Sequence, residues 1–138
     1  MSGSARRLLD SSSLILLMKK MGGDLVPKLE NFIMLDLTTY EMGNILWKEG
    51  YLSKSLTREE VASLASTTQQ ILTLVERISI SPQEIGKTLE LAENEGLTFY
   101  DASYLQAAID RGVSLVTEDA KLKRAAKKHV TVMTASDL

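Results

Sequence analysis

The sequence contains no cysteine. Disulfide staples, zinc–thiolate sites and thiol nucleophiles are therefore excluded, and the absence suits a reducing interior. No apolar run approaches the roughly 18 residues that a membrane-spanning helix needs. The opening Met1-Ser-Gly-Ser-Ala-Arg-Arg7 is soon followed by an acid at Asp10, which interrupts the apolar stretch a secretory signal requires. The chain reads as soluble and cytoplasmic. An excess of basic charge is also missing: the formal net charge is −2, whereas nucleic-acid-binding domains are usually basic. There is one histidine, His129, so general acid–base chemistry by a histidine pair is ruled out. Its place near the end of a helix suits a side chain facing the last carbonyls. No repeat, linker or low-complexity segment interrupts the chain.

What is present fits one domain with an ordinary core: 138 residues, 44% of them hydrophobic and 25% charged. Short apolar runs alternate with longer amphipathic ones, the pattern of an α/β fold with a largely parallel sheet. Strands are expected over residues 6–9, 32–37, 78–80, 113–117 and 130–134. Helices are expected over 12–21, stopped by Gly22-Gly23, over 40–52, and from Thr57 towards residue 78. Thr57-Arg-Glu-Glu60 is a capping-box pattern that opens this longest helix. Ser81-Pro82 opens a helix stopped by Gly96, and further helices cover 99–111, ended by Gly112, and 119–128.

Four acids hold notable positions. Asp10 follows the first strand, Glu41 begins the helix after the second, Asp101 lies in the first turn of the helix at 99, and Asp119 follows the strand at 113–117. Each has an ordinary explanation. Asp10 and Asp119 suit N-caps, Asp101 could pair with Thr98 in a capping box, and Glu41 could complement a helix dipole. Jointly they suggest more. In open parallel sheets ligands bind at the carboxyl ends of the strands, and Asp10, Glu41 and Asp119 share that edge. Asp101 joins them if its helix starts there. Carboxylates gathered so closely need protons or cations, and oxygen-only ligands favour Mg²⁺ or Mn²⁺.

Four segments also resemble a known family. Leu8-Leu9-Asp10-Ser11-Ser12 is similar to the opening strand of PIN domains, and Tyr40-Glu41-Met42-Gly43-Asn44 to their second motif. Phe99-Tyr100-Asp101-Ala102 is similar to the third, and Val116-Thr117-Glu118-Asp119 to the fourth. They occur in the family's order across nearly the whole chain, while residues 57–95 match in pattern only. The resemblance implies one three-layer α/β/α domain over residues 1–138, with about five strands. It implies a metal-dependent endoribonuclease like the VapC toxin of VapBC toxin–antitoxin pairs. Asp10, Glu41, Asp101 and Asp119 would be its catalytic, metal-holding residues, with Ser12, Asn44 and Thr117 in support. A VapB-like antitoxin and a second copy of the chain are the implied partners. The helices at 40–52 and 57–78, which carry more apolar surface than one small sheet needs, are the expected contact surfaces.

Lys121, Arg124 and Lys128 stand at i, i+3 and i+7 beyond Asp119, where they could steer RNA phosphates or form an ordinary solvated face. Tyr40, Trp47, Tyr51, Tyr100 and Tyr104 could stack on bases or fill the core. Two rival functions are a receiver-like regulatory domain with an acidic pocket and a PIN domain that only binds. The first leaves Glu41 and Thr117-x-Asp119 unexplained. The presence of all four acids opposes the second.

Overall fold

Five short strands pair side by side in a computed structural model that describes residues 6–138. The reading of Met1–Ala5 as free of an export signal lies outside those residues. The strands are β1 (Arg7–Leu9), β2 (Phe32–Leu35), β3 (Glu76–Ile78), β4 (Ser114–Val116) and β5 (Val132–Met133). All neighbours are parallel, in the order β3-β2-β1-β4-β5. β2 is buried at every position, as expected of a parallel strand covered on both faces. The central β1 shows how the two cores form. Leu8 points into a cluster with Ile33, Leu115 and Leu105, while Leu9 points the other way to Met34, Val116 and Leu14.

Helices fill the outer layers. On the Leu9 side lie α1 (Ser11–Met21), a 3-10 segment (Gly22–Asn31) and α3 (Arg58–Leu74). On the Leu8 side lie α4 (Ile85–Glu95), α5 (Phe99–Arg111) and α6 (Ala120–Ala126). α2 (Leu37–Trp47) continues as a π-helical turn over Lys48–Leu52. This is the three-layer α/β/α architecture expected, with an all-parallel sheet. Gly96 and Gly112 end α4 and α5 in the left-handed region, at φ 68° and 63°, where a side chain would be strained.

Three boundaries differ from the sequence expectation. β2 stops at Leu35 and α2 starts at Leu37, so Glu41 sits in the second helical turn rather than at the helix start. Leu37, read as strand, opens α2, and the next residue, Thr38, is fully buried and spends its hydroxyl on Tyr104 at 2.8 Å. The third strand covers Glu76–Ile78 rather than 78–80, and α3 ends at Leu74. Three residues on a sheet edge carry too short a pattern to be told from a last helical turn. Finally, α6 ends at Ala126, where the Ala126 carbonyl accepts from both His129 and Val130 N–H at 2.9 Å. Lys128 therefore lies in a turn beyond the helix. The 3-10 segment has no counterpart in the sequence reading; it buries Leu25 and Leu29 around Pro27.

Candidate active site

β1 and β4 are neighbours in the sheet, and the chain leaves both at the same edge. That places Asp10 beside Thr117. The Asp10 N–H still donates to the Val116 carbonyl at 3.1 Å, extending the ladder one residue past β1. The Asp10 carboxylate is 4% exposed. Its Oδ1 accepts from the Ser13 N–H at 3.0 Å, the Ser12 hydroxyl at 2.7 Å and the Ser13 hydroxyl at 3.1 Å, while Oδ2 accepts from the Thr117 hydroxyl. Burial pushes the Asp10 carboxyl above its ordinary value, and these donors pull it back in part. Ser12 also accepts the Glu118 N–H at 3.0 Å, and Thr117 accepts the Asp119 N–H at 3.0 Å. The two hydroxyls thus tie the ends of β1 and β4 into one rigid corner.

Asp119 and Asp10 do cap helices. Asp119 Oδ1 accepts from the Leu122 N–H at 2.8 Å, as Asp10 Oδ1 does from Ser13. Capping fixes the carboxylate without neutralising it, so the ordinary explanation is compatible with the functional one. The Thr98 hydroxyl caps α5 by accepting the Asp101 N–H at 3.1 Å. The half-buried Asp101 carboxyl is pushed up to about 6, first by burial and then by the charges of Asp119, Asp10 and Glu41, with Lys121 pulling the other way. The charges of all three acids reach Asp101, so it lies in their neighbourhood. The structure thereby brings Asp101 to the edge already shared by the other acids.

Glu41 is held from two sides: its Oε1 accepts from the Ser11 hydroxyl at 3.0 Å and the Tyr104 hydroxyl at 2.7 Å. The single Tyr104 proton goes to Glu41, so at 2.8 Å the Thr38 hydroxyl donates to Tyr104. Tyr104 is 1% exposed, and burial first of all raises its pKa and keeps it a donor. Ser11, Thr38 and Tyr104 as holders of Glu41 were missed by the sequence reading. A signal existed: Tyr104 is three residues beyond Asp101, on the same side of a helix. Its partners on α2 had no such mark.

Asn44 is exposed and lines a cavity of about 350 Å³ with Leu37, Tyr40, Glu41 and Tyr100. Lys121 is exposed and close enough to influence Asp101; Arg124 is exposed one turn on. Lys128 departs from this group. Its ammonium is 2.5 Å from Glu95 Oε1, and it lines a cavity with Gly112 and Ser114 at the amino end of β4. His129 Nε2 lies 2.8 Å from Glu95 Oε2, within an ion-pair cluster of its own.

Among the described residues no three acids or histidines already stand as a ready-made ion cage. The donor set is carboxylate oxygen alone, which fits a hard divalent cation. Among the described residues no helix is long and apolar enough to cross a membrane.

Comparison with known proteins gives likenesses of family, of sequence and of fold. A family model described as the PIN domain matches residues 7–128. A Pyrobaculum aerophilum protein named Exonuclease VapC9 is 36% identical over 105 residues, covering 76% of this chain and 74% of that one. Among solved structures, PAE2754 from Pyrobaculum aerophilum superposes with a TM-score of 0.80 at 28% identity, covering 99% of this chain and 94% of that one. FitAcB from Neisseria gonorrhoeae does so at 0.62 and 17% identity, covering 96% and 99%, a likeness of fold alone.

Proposed function

The chain belongs to the PIN-domain family, and from that premise we propose that it is a divalent-metal-dependent endoribonuclease, the toxin of a toxin–antitoxin pair. The observation that supports the reading is the corner at the ends of β1 and β4, where buried Asp10 and helix-capping Asp119 are joined through Thr117. Asp10 and Asp119, fixed at strand ends by Thr117, Ser12 and their own caps, are the side chains placed to hold the ion. Glu41 and Asp101 would complete the set of carboxylates that holds it. Mg²⁺ or Mn²⁺ held there would polarise a phosphodiester and acidify the attacking water. The chain's own work is to fix these oxygens in advance, to accept the water's proton on a carboxylate, and to bring the phosphate in past Lys121 and Arg124.

Features of the surface support the expected partners. The shallow groove of Gly43, Leu46, Ala65 and Leu72 between α2 and α3 suits an apolar antitoxin helix. Exposed Trp47, Tyr51 and Leu52 suit a homodimer contact. A cytoplasmic setting fits an RNA substrate. Incubation of the pure protein with RNA, with and without Mn²⁺ or Mg²⁺, followed by mapping of fragment ends, tests the activity. Internal cuts that need the metal are expected. Shortening from one end would assign exonucleolytic action, as in the name of the Pyrobaculum relative, and metal binding without any cutting would favour a binding module.

A further inference from the structure

Each wall of the cavity beside Glu41 carries a tyrosine followed directly in sequence by one of the site acids: Tyr40 with Glu41 on α2, and Tyr100 with Asp101 on α5. Both rings are unusually exposed, at 78% and 61%. The other aromatics singled out in the sequence are occupied. Tyr104 is buried, and Trp47 stacks on Tyr51 with centroids 5.9 Å apart. Leu37, Tyr40, Glu41 and Asn44 fall at i, i+3, i+4 and i+7, so one face of α2 presents an apolar floor, a ring, an acid and an amide to the same space.

We infer that this cavity is a nucleobase subsite, which takes an unpaired base of the RNA strand whose phosphate lies at the carboxylates. The inference rests on the nuclease reading and deepens it. Every base has a π-face, so a tyrosine wall binds bases with little regard for sequence. The Asn44 amide, both donor and acceptor, can read the edge of the base between the walls. Because stacked duplex bases cannot enter, the subsite also selects single-stranded over double-stranded RNA.

The test scans a single abasic position along a labelled single-stranded RNA, measuring affinity for the inactive Asp10→Asn protein and cleavage by the unsubstituted protein. At one register the missing base weakens binding roughly tenfold. In Tyr100→Ala or Tyr40→Ala the loss is already present, and the same abasic position adds nothing further. Mn²⁺ affinity, measured calorimetrically, is unchanged by either tyrosine substitution. Metal-dependent cleavage that tolerates an abasic nucleotide at every position overturns the subsite and leaves the nuclease reading standing, as does full additivity of the two losses. Failure of the unsubstituted protein to bind or cut any RNA overturns both.

Discussion

Glu95 and Asp101 stand on either side of the turn between α4 and α5, and their surroundings are opposite. Glu95 has an ammonium at 2.5 Å and an imidazole at 2.8 Å, which hold its carboxyl below the usual range. Asp101 is pushed up to about 6, first by burial and then by the charges of Asp119, Asp10 and Glu41. The difference separates two kinds of acid that look alike in a sequence. An acid whose counter-charge is part of the same chain is complete when the chain folds. An acid raised by burial and by its own kind, with one lysine nearby, has no such partner built in, and on the nuclease reading a bound cation would supply it.

The sharpest way to break this comparison is to neutralise one acid from each place. Asp10→Asn should lower metal-dependent RNA cleavage by several orders of magnitude, while thermal unfolding without metal is unchanged or shifted upward. Glu95→Gln should leave cleavage within about twofold and cost stability instead. Equal losses of cleavage in the two proteins would end the distinction.

The next largest effect concerns how Glu41 is held. Tyr104→Phe should weaken Mn²⁺ binding about tenfold, since outer-shell donors to metal ligands commonly contribute 10–100-fold. It should also destabilise the protein, because the buried Thr38 hydroxyl loses its acceptor. Adding Thr38→Val restores much of that stability by replacing both buried partners with apolar groups of similar shape. Calorimetric titration of the double variant should still show weak Mn²⁺ binding. Recovery of both properties together would reduce Tyr104 to a packing residue.

Acidity offers a third test, with opposite signs at the two places. Asp101 has a folded pKa above its unfolded value, so its favourable contribution is present at low pH and lost as pH rises through about 6. Urea melts in chelator should find the unsubstituted protein losing roughly 1–2 kcal/mol relative to Asp101→Asn between pH 4 and 7, after allowance for solvent screening. Mn²⁺ should abolish the difference. Glu95, with its lowered pKa, contributes stability at neutral pH that is lost as pH falls through the carboxylate range. An Asp101→Asn profile parallel to that of the unsubstituted protein would contradict the crowding.

The smallest expected effect is electrostatic steering. Lys121→Ala and Arg124→Ala should each reduce the log–log salt slope of single-stranded RNA binding by about 0.7. Lys128→Ala should change it less, because its ammonium is engaged by Glu95. Equal slopes for all three would put Lys128 back among the phosphate contacts.

Much of this was legible in the sequence because the relevant features are local. The Thr57–Glu60 capping box, the glycines at 96 and 112, and the Asp10 and Asp119 caps after β1 and β4 are patterns of a few adjacent residues, and the structure forms them. Boundaries at the short strands were not legible. Thr38 and Ile78 have side chains compatible with helix or strand, and partners distant in sequence decide between them. The same limit hid the Tyr104–Glu41 contact, which joins residues 63 apart. It also hid the pairing of Lys128 with Glu95, which removed one residue from an apparent basic stripe.

The central position of β1 has a consequence in time. The partner that fixes Asp10 Oδ2 is Thr117, 107 residues later, and the strand that carries it is β1's own neighbour. At roughly 5–20 residues per second of synthesis, several seconds or more separate the two halves of that corner. Until β4 arrives, Asp10 lacks both Thr117 and the adjoining strand, and Asp119 has not been made. A growing chain therefore lacks the assembled carboxylate corner through the synthesis of everything from β1 to β4, and acquires it only when β4 joins the sheet.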